Sequence, residues 1–561
     1  MSRHTDCCAM NTLLQRRQVM SKRLIIFTDS GDTLVDEGTQ KFDEKGIVTE
    51  AELIPGADNL LKTLHKDGFR IALVADGEVE SFDNVYRDNG LGYCFEKRII
   101  SEAVGIQKPA KEMFDTAMKE MNLTDEDKSR IIMIGNNLKK DIAGANRFGI
   151  ISVWLDWSPR YFHEIEEPDW QPDYIVKTPE ELLELIYNLE DKLCSGMSLQ
   201  KNEAERKLKL IADAFKDILY EEDEKFLENM KTNNLAGDDI RKYQYWEWTQ
   251  GVGLFGFWKM FMRTENEEYL NILKDYYDRQ LTIGFPALNV NTVTPYLAMS
   301  YLAEYTSEEK YMKPCIQAAY DIMHSFPRTE EGGFQHMTSD TLNEQELWDD
   351  TLYMTVLFLA NMGRILDNEE MKAEVMHQFK IHIKYLSDKD TGLWYHGWTF
   401  KDKNNFAGAF WARGNCWVTM AIPEFLAMYE GYECDCETKK LLTDTLNRQV
   451  ESLKKYQAPS GMWHTLIDDE TSYVEASGTC GFAYGILKGI KLGILDKEYE
   501  SVALKALKPI LGCISDGGVV HQVSYGTPMG RITRDFYKNI ELKPMPYGQA
   551  LAMLFLMEYL G

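Results

Sequence analysis

"LWDDTLYMTVLFLA", residues 347–360, is apolar on every side of a helix once its two leading acids are passed. A helix without a polar face has to be enclosed by other helices. Five more stretches read the same way: "YWEWTQGVGLFGFWKMF" (245–261), "NVNTVTPYLAMSYLAEY" (289–305), "ARGNCWVTMAIPEFLAMY" (412–429), "ASGTCGFAYGILKGIKLG" (476–493) and "YGQALAMLFLMEYLG" (547–561). Between them run amphipathic, charged stretches such as "EEYLNILKDYYDRQL" (267–281) and "TKKLLTDTLNRQVESLKKY" (438–456). A helix with one polar face lies outside. Six of each kind, alternating, predict an (α/α)6 barrel over residues 201–561.

Several of these hairpins are followed by a loop that runs from a glycine to a histidine: Gly333–His336, Gly392–His396, Gly461–His464 and Gly518–His521. Four such loops in register predict one rim of the barrel, ringed by histidines around a cavity. Nine of the twelve tryptophans also fall in this half, where flat rings suit the apolar faces of sugars.

Outward towards the N-terminus the pattern changes. "RLIIFTDS" (23–30), "RIALVADG" (70–77), "RIIMIGNN" (130–137) and "GIISVWLDW" (149–157) are short apolar strands separated by helical stretches. That alternation predicts a parallel, doubly wound α/β sheet over residues 20–187, with any site at the carboxyl ends of its strands. A linker is expected at 188–200. Residues 1–19 are expected to be a disordered extension, unless Met20 is the true start.

The net charge of −27 argues against a nucleic-acid partner or an anionic membrane surface. No apolar run approaches the roughly 20 residues needed to span a bilayer. Ten scattered cysteines without a secretory segment suggest reduced thiols and a cytoplasmic protein. Cys434 and Cys436 lack a second pair at zinc spacing and read as a loop.

"WEWTQGVGL", "PRTEEGGFQH", "LWDDTLYMTVLFLA", "GLWYHGW", "WARGNCW" and "SYVEASGTCGFAYGILKG", in this order, resemble glycoside hydrolase family 105, the unsaturated rhamnogalacturonyl hydrolases related to family 88. The resemblance implies removal of a Δ4,5-unsaturated galacturonyl residue from the non-reducing end of pectin-derived oligosaccharides, without a cofactor or metal in the barrel. It implies Asp350 as the catalytic acid/base that hydrates the C4=C5 double bond. Asp350 lies four and seven residues before Met354 and Leu357 on a helical face, which aims it inward. Asp349 is then a helix cap or a neighbour that tunes its pKa; burial and Asp349 must outweigh the helix N-terminus to keep Asp350 an acid near neutral pH. The same resemblance places Trp248, Asn291, His336, His396, Arg413 and Trp417 around the substrate. Arg413 and Trp417, four residues apart, would grip the uronate carboxylate and stack on the sugar. Many relatives carry an aspartate where Asn291 stands, and Glu247 is a candidate second acid.

"IIFTDSGDTLVDE", "IALVADG", "SEAVGIQKP" and "IIMIGNNLKKDIAGANRFG" resemble the four motifs of the haloacid dehalogenase superfamily. Asp29 takes the position of its phosphorus-attacking aspartate, Lys108 that of its lysine and Asp141 that of a motif-four acid, where Mg2+ would be held with Asp29. Three positions depart from the pattern: Gly31 replaces the acid/base aspartate, with Asp32 one residue on; Ala75 replaces a Ser/Thr; Asn136 replaces an acid. A silent module and a specialised phosphatase both stay open, the latter making the chain bifunctional. Sugar epimerisation on an (α/α)6 barrel is the alternative reading for the second half. The aglycone and the oligomeric state leave no signature.

Overall fold

The computed structural model describes residues 24–194, 199–220, 227–228, 231, 240–429, 436–526 and 528–561. Residues 1–19, Met20, part of the expected linker and Cys434 lie outside them. The chain divides into two compact units, one up to Glu203 and the other from Ala204.

The first unit is built on a six-stranded sheet in the order β5-β4-β1-β6-β7-β8. Its strands are β1 (Ile25–Thr28), β4 (Arg70–Ala75), β5 (Lys97–Ile100), β6 (Ile131–Gly135), β7 (Ile151–Leu155) and β8 (Tyr174–Val176), all parallel. β2 (Lys41–Phe42) and β3 (Val48–Glu50) form a separate hairpin. The four apolar runs read from the sequence are β1, β4, β6 and β7, each buried on both faces as a covered parallel sheet requires. β5 and β8 have exposed residues and too short a run to announce themselves. The chain leaves β1 for β4 on one side and returns to β6 on the other, so the crevice of the sheet opens at the carboxyl end of β1.

In the second unit the inner helices are α2 (Trp248–Thr264), α4 (Val290–Thr306), α6 (a π turn, Leu352–Val356, continued by Leu357–Ile365), α8 (Ala412–Met428), α10 (Ala476–Lys491) and α13 (Pro546–Leu560). Each packs on the next, and α13 packs back on α2, which closes the ring. The outer set is α1 (Leu199–Ile218), α3 (Glu267–Ile283), α5 (Glu309–Ser325), α7 (Glu369–Leu386), α9 (Cys436–Tyr456) and the pair α11 (Glu500–Lys505) and α12 (Leu507–Cys513). Apolar sequence all round produced the inner ring: α13 buries every residue from Tyr547 to Met557. Among the described residues no helix is long and apolar enough to cross a membrane.

The loops after the outer helices repeat one turn. In four of them a left-handed glycine, Gly332, Gly392, Gly461 or Gly518, starts the extended stretch. Two residues on, Phe334, Trp394, Trp463 and Val520 are all fully buried.

Candidate active site

Extended chain alternates its sides, so the residue four beyond each left-handed glycine faces the same way as the residue two beyond. His336 and His396 stand at that fourth position; His464 and His521 stand at the third. The expected ring of four histidines is therefore corrected to two. His336 and His396 are 4% and 2% exposed beside the acidic pair, His464 Nδ1 bonds the Ser472 carbonyl, and His521 is exposed. In the first loop the turning glycine is Gly332, not Gly333.

Asp349 and Asp350 follow β9 (Glu346–Trp348), which pairs with β10 (Gly397–Thr399) and so brings His396 alongside. His396 Nε2 lies 3.4 Å from Asp350 Oδ2. Tyr537 bonds the other ring nitrogen, Nδ1, at 2.6 Å and fixes the imidazole's direction. His336 Nδ1 sits 2.8 Å from Thr351 Oγ1, and its ring stacks on Trp348 at 4.3 Å. The inward aim of Asp350 has a different cause from the expected one. A face drawn four and seven residues on assumes an α-helix, and residues 352–356 are a π turn.

The cap reading of Asp349 fails. Both its carboxyl oxygens are buried without a hydrogen bond, and the helix start has no side-chain cap. Burial, then the neighbouring Asp350, push the Asp349 carboxyl well above the usual range, so it holds a proton. Burial also raises Asp350, but His396, His336 and Asp349 outweigh it and leave Asp350 below its ordinary value. The imidazoles are themselves kept neutral by burial, His336 down to about 3, so at neutral pH their dipoles rather than full charges hold that carboxylate. The balance runs opposite to the expectation: burial favours the proton on Asp349, and the imidazoles favour the carboxylate on Asp350. Asp349, Asp350 and His396 also offer ligand atoms within 4.8 Å of one another, which is the composition of a small metal site.

Around this pair, polar atoms of Tyr353, Trp411, Trp417 and Glu247 are likewise buried without partners. Trp248, half-buried, stacks on Tyr547 at 4.7 Å and meets Trp417 edge-on at 6.1 Å. Trp417 is fully buried against Tyr353 at 4.9 Å and forms the floor rather than a sugar platform. Asn291, half-exposed, lies beside Glu247. Ser339 bonds Glu247 Oε1, and burial raises that carboxyl to about 8.

Arg413 departs most from its expected role. It is 1% exposed, sandwiched between Trp411 and Tyr547 at 4.6 and 4.5 Å. Its Nη1 donates to the Ser524 carbonyl at 2.6 Å, to Ser524 Oγ at 2.7 Å and to Ser477 Oγ at 3.3 Å, and Nη2 donates to the Tyr525 carbonyl. Ser477 in turn donates to Glu475 Oε2, so the buried guanidinium is balanced through a hydroxyl. Arg413 thus anchors the backbone at Ser524 and Tyr525. Trp248, Asn291, Arg413, Ser477 and Tyr547 lie in the first turn of an inner helix and Asp350 just before one, so the positive dipole ends of six helices lie beside these residues. Tyr537, Tyr547 and Trp411 were missed from sequence, although Trp411 stands inside the "WARGNCW" motif.

In the first unit Lys108 Nζ donates to Asp29 Oδ1 at 2.7 Å and to Asp141 Oδ1 at 2.5 Å. Burial alone would lower that ammonium, but Asp141, Asp29 and Asp76 hold it protonated. Burial and the charge of Asp29 raise Asp141 to about 7 against the pull of Lys108. One ammonium thus leaves the two carboxyls under-neutralised. Such oxygen donors suit Mg2+, which takes one or two carboxylates and keeps its waters. Asp29 and Asp141 would hold it, and it would neutralise phosphoryl charge. Asp32 does not stand in for the missing acid at position 31. It is fully buried, bonded by Ser158 at 2.6 Å and by Arg160 at 2.7 and 2.8 Å.

Residues 11–149 match the haloacid dehalogenase-like hydrolase family model. Over that part the chain is 30% identical to the glyceraldehyde 3-phosphate phosphatase of Pyrococcus furiosus, covering 24% of this chain and about half (54%) of that protein. Over 318 residues it is 32% identical to the unsaturated rhamnogalacturonyl hydrolase YesR of Bacillus subtilis, 56% of this chain and 90% of that protein. The crystal structure of a possible family 105 member from Klebsiella pneumoniae superposes with a TM-score of 0.58 at 40% identity, covering 63% of this chain and 92% of that one. Residues 221–561, more than half of the chain, match the model of glycosyl hydrolase family 88, and the chain belongs to that family.

Proposed function

We propose that the barrel removes a Δ4,5-unsaturated galacturonyl residue from the non-reducing end of rhamnogalacturonan fragments, by hydrating the C4=C5 double bond. The observation that carries this reading is a pair of adjacent carboxyls in unlike surroundings, Asp349 fully buried and Asp350 facing His396 Nε2 at 3.4 Å. An ordinary glycosidase sets two carboxylates on opposite sides of a bond. Adjacent carboxyls in unlike surroundings suit an enol ether, which needs one proton on carbon and one taken from water.

The negatively charged sugar enters among the inner-helix N-termini, with the half-buried Trp248, backed by Tyr547, against its ring. Its carboxylate raises the proton affinity of Asp350, and the proton moves from Asp349 to Asp350 and on to C4. Asp350, again a carboxylate, accepts a proton from the water that adds at C5. The C5 hemiketal opens to a ketone, and the C1 hemiacetal left behind expels the aglycone. His396, oriented by Tyr537, holds Asp350 in line, and the protonated Glu247 beside Asn291 donates a hydrogen bond to the substrate. Residues 201–561 suffice for this chemistry, and residues 20–187 form a separate domain. The described cysteines are free thiols, which supports a cytoplasmic setting.

The test is loss of the enol-ether ultraviolet absorbance when the protein meets unsaturated disaccharides made by a pectin lyase. Unchanged absorbance with substrates from pectin and from glycosaminoglycans refutes the reading. The YesR relative, named for this activity, supports the pectin class.

A further inference from the structure

We infer that the first unit hydrolyses phosphate monoesters with Asp29 as nucleophile and Glu37 as proton donor, the Glu37 carboxyl filling the volume that a side chain at position 31 would occupy. This goes beyond the barrel reading and does not depend on it.

A Cβ built on Gly31 overlaps Glu37 Oε1 and presses on the rest of that carboxyl. Position 31 is two residues beyond Asp29, at the carboxyl end of β1 where the sheet's crevice opens. The short helix Glu37–Thr39, eight residues down the chain, folds back and delivers a carboxyl to the place left empty by the missing side chain. A side chain at position 31 and the Glu37 carboxyl cannot share this volume, so a larger residue there moves Glu37 aside. Tyr161 donates to Glu37 Oε2 at 2.6 Å, which fixes the carboxyl and leaves Oε1 as the atom directed at position 31.

The two carboxyls sit in opposite surroundings. Asp29 is paired with the Lys108 ammonium. Among the described residues Glu37 has no cation in hydrogen-bond contact; burial raises it above its ordinary value, Tyr161 draws it down, the charges of Asp32 and Asp29 raise it further, and Arg160 offsets part of this. A carboxylate held by an ammonium suits a nucleophile, and a buried carboxyl hydrogen-bonded by a phenol suits a proton donor.

A second feature points to an anion as the ligand. Asn136, 4% exposed at the end of β6, has its Oδ1 3.5 Å from Thr33 Oγ1, in the loop between Asp29 and Glu37. Its Nδ2 is buried with no hydrogen-bond partner among the described residues. An orphaned N–H donor at the carboxyl end of the strand next to β1 suits an oxygen of a phosphoryl group.

The reaction runs in two steps. An Asp29 carboxylate oxygen attacks phosphorus, the phosphorus–oxygen bond to the leaving group breaks, and the departing alkoxide takes the Glu37 proton to become an alcohol. Glu37, now a carboxylate, takes a proton from water as the hydroxide attacks phosphorus of the aspartyl phosphate, releasing inorganic phosphate and restoring Asp29. General acid–base help of this kind contributes about 10²- to 10⁴-fold.

The experiment uses the full chain, in Mg2+, with glycerol phosphate and p-nitrophenyl phosphate. Glycerol needs a proton to leave and nitrophenolate does not. Wild type is expected to turn over both. Glu37→Gln is expected to lose about 100-fold or more on glycerol phosphate. On p-nitrophenyl phosphate it should instead release one rapid equivalent of nitrophenolate per chain before stalling at the aspartyl phosphate. Gly31→Asp combined with Glu37→Ala should restore turnover of both, since a carboxyl returns to the same volume. No turnover by wild type, equal losses on the two substrates without a burst, or a Glu37→Gln variant of full activity each overturns the inference.

Discussion

Replacing Asp350 by Asn removes the one carboxyl that meets both the double bond and the attacking water, and changes little else. Asp350 Oδ2 faces His396 Nε2 at 3.4 Å and the side chain is 15% exposed, so an amide of the same size fits without displacing a neighbour. The variant loses the proton delivered to C4 and the acceptor for the water proton. General acid–base catalysis is worth about 10²- to 10⁴-fold per group. A loss of about 10³ in kcat is therefore expected, equivalent to about 4 kcal/mol in the barrier. KM should move little, since the aromatic rings and helix ends that hold the sugar are untouched. The charge that presses on Asp349 also disappears, so the melting temperature should stay level or rise. The assay follows enol-ether absorbance at saturating unsaturated disaccharide, with thermal unfolding run in parallel. Near-full turnover in a folded Asp350→Asn protein refutes the assignment, and a fall in both turnover and melting temperature refutes the structural argument behind it.

Asp349→Asn removes the resting place of the proton; Asp350 must then be protonated from bulk water, so the pH optimum of kcat should move to lower pH, and an unmoved optimum refutes proton sharing. Glu247 is raised to about 8 when folded, against an ordinary value of 4.5, so the folded protein binds the extra proton between those values and its stability falls as pH rises through them. Glu247→Gln should flatten that decline in melting temperature and gain most at pH 8. Arg413→Gln leaves the Ser524 and Tyr525 carbonyls without their charged donor and should lower stability by about 3 kcal/mol; a raised KM at unchanged melting temperature would instead make it a substrate grip. Chelation with EDTA should leave the barrel reaction intact, and activity lost to EDTA and restored by a cation would make Asp349, Asp350 and His396 metal ligands.

The sequence by itself determined the two architectures and the position of Asp350. Periodicity is a local property: an inner helix has to be apolar all round and a covered strand has to be a continuous apolar run, whatever lies beyond them. The spacing of Arg413 and Trp417, and the Gly-to-His loops, were also legible as strings. Only the tertiary structure decided what those residues do. Whether a loop histidine meets the acid depends on its distance from the left-handed glycine, four residues for His336 and His396 against three for His464 and His521, and the turning glycine is a matter of backbone conformation. Arg413 reads as a free cation in the sequence and is a buried strut in the fold, because its acceptors lie more than 60 residues away. The proton's place on Asp349 rather than Asp350, and the delivery of Glu37 to the gap at Gly31, rest on burial and on partners brought from distant segments. Desolvation and direction act through space, and a one-dimensional string holds neither.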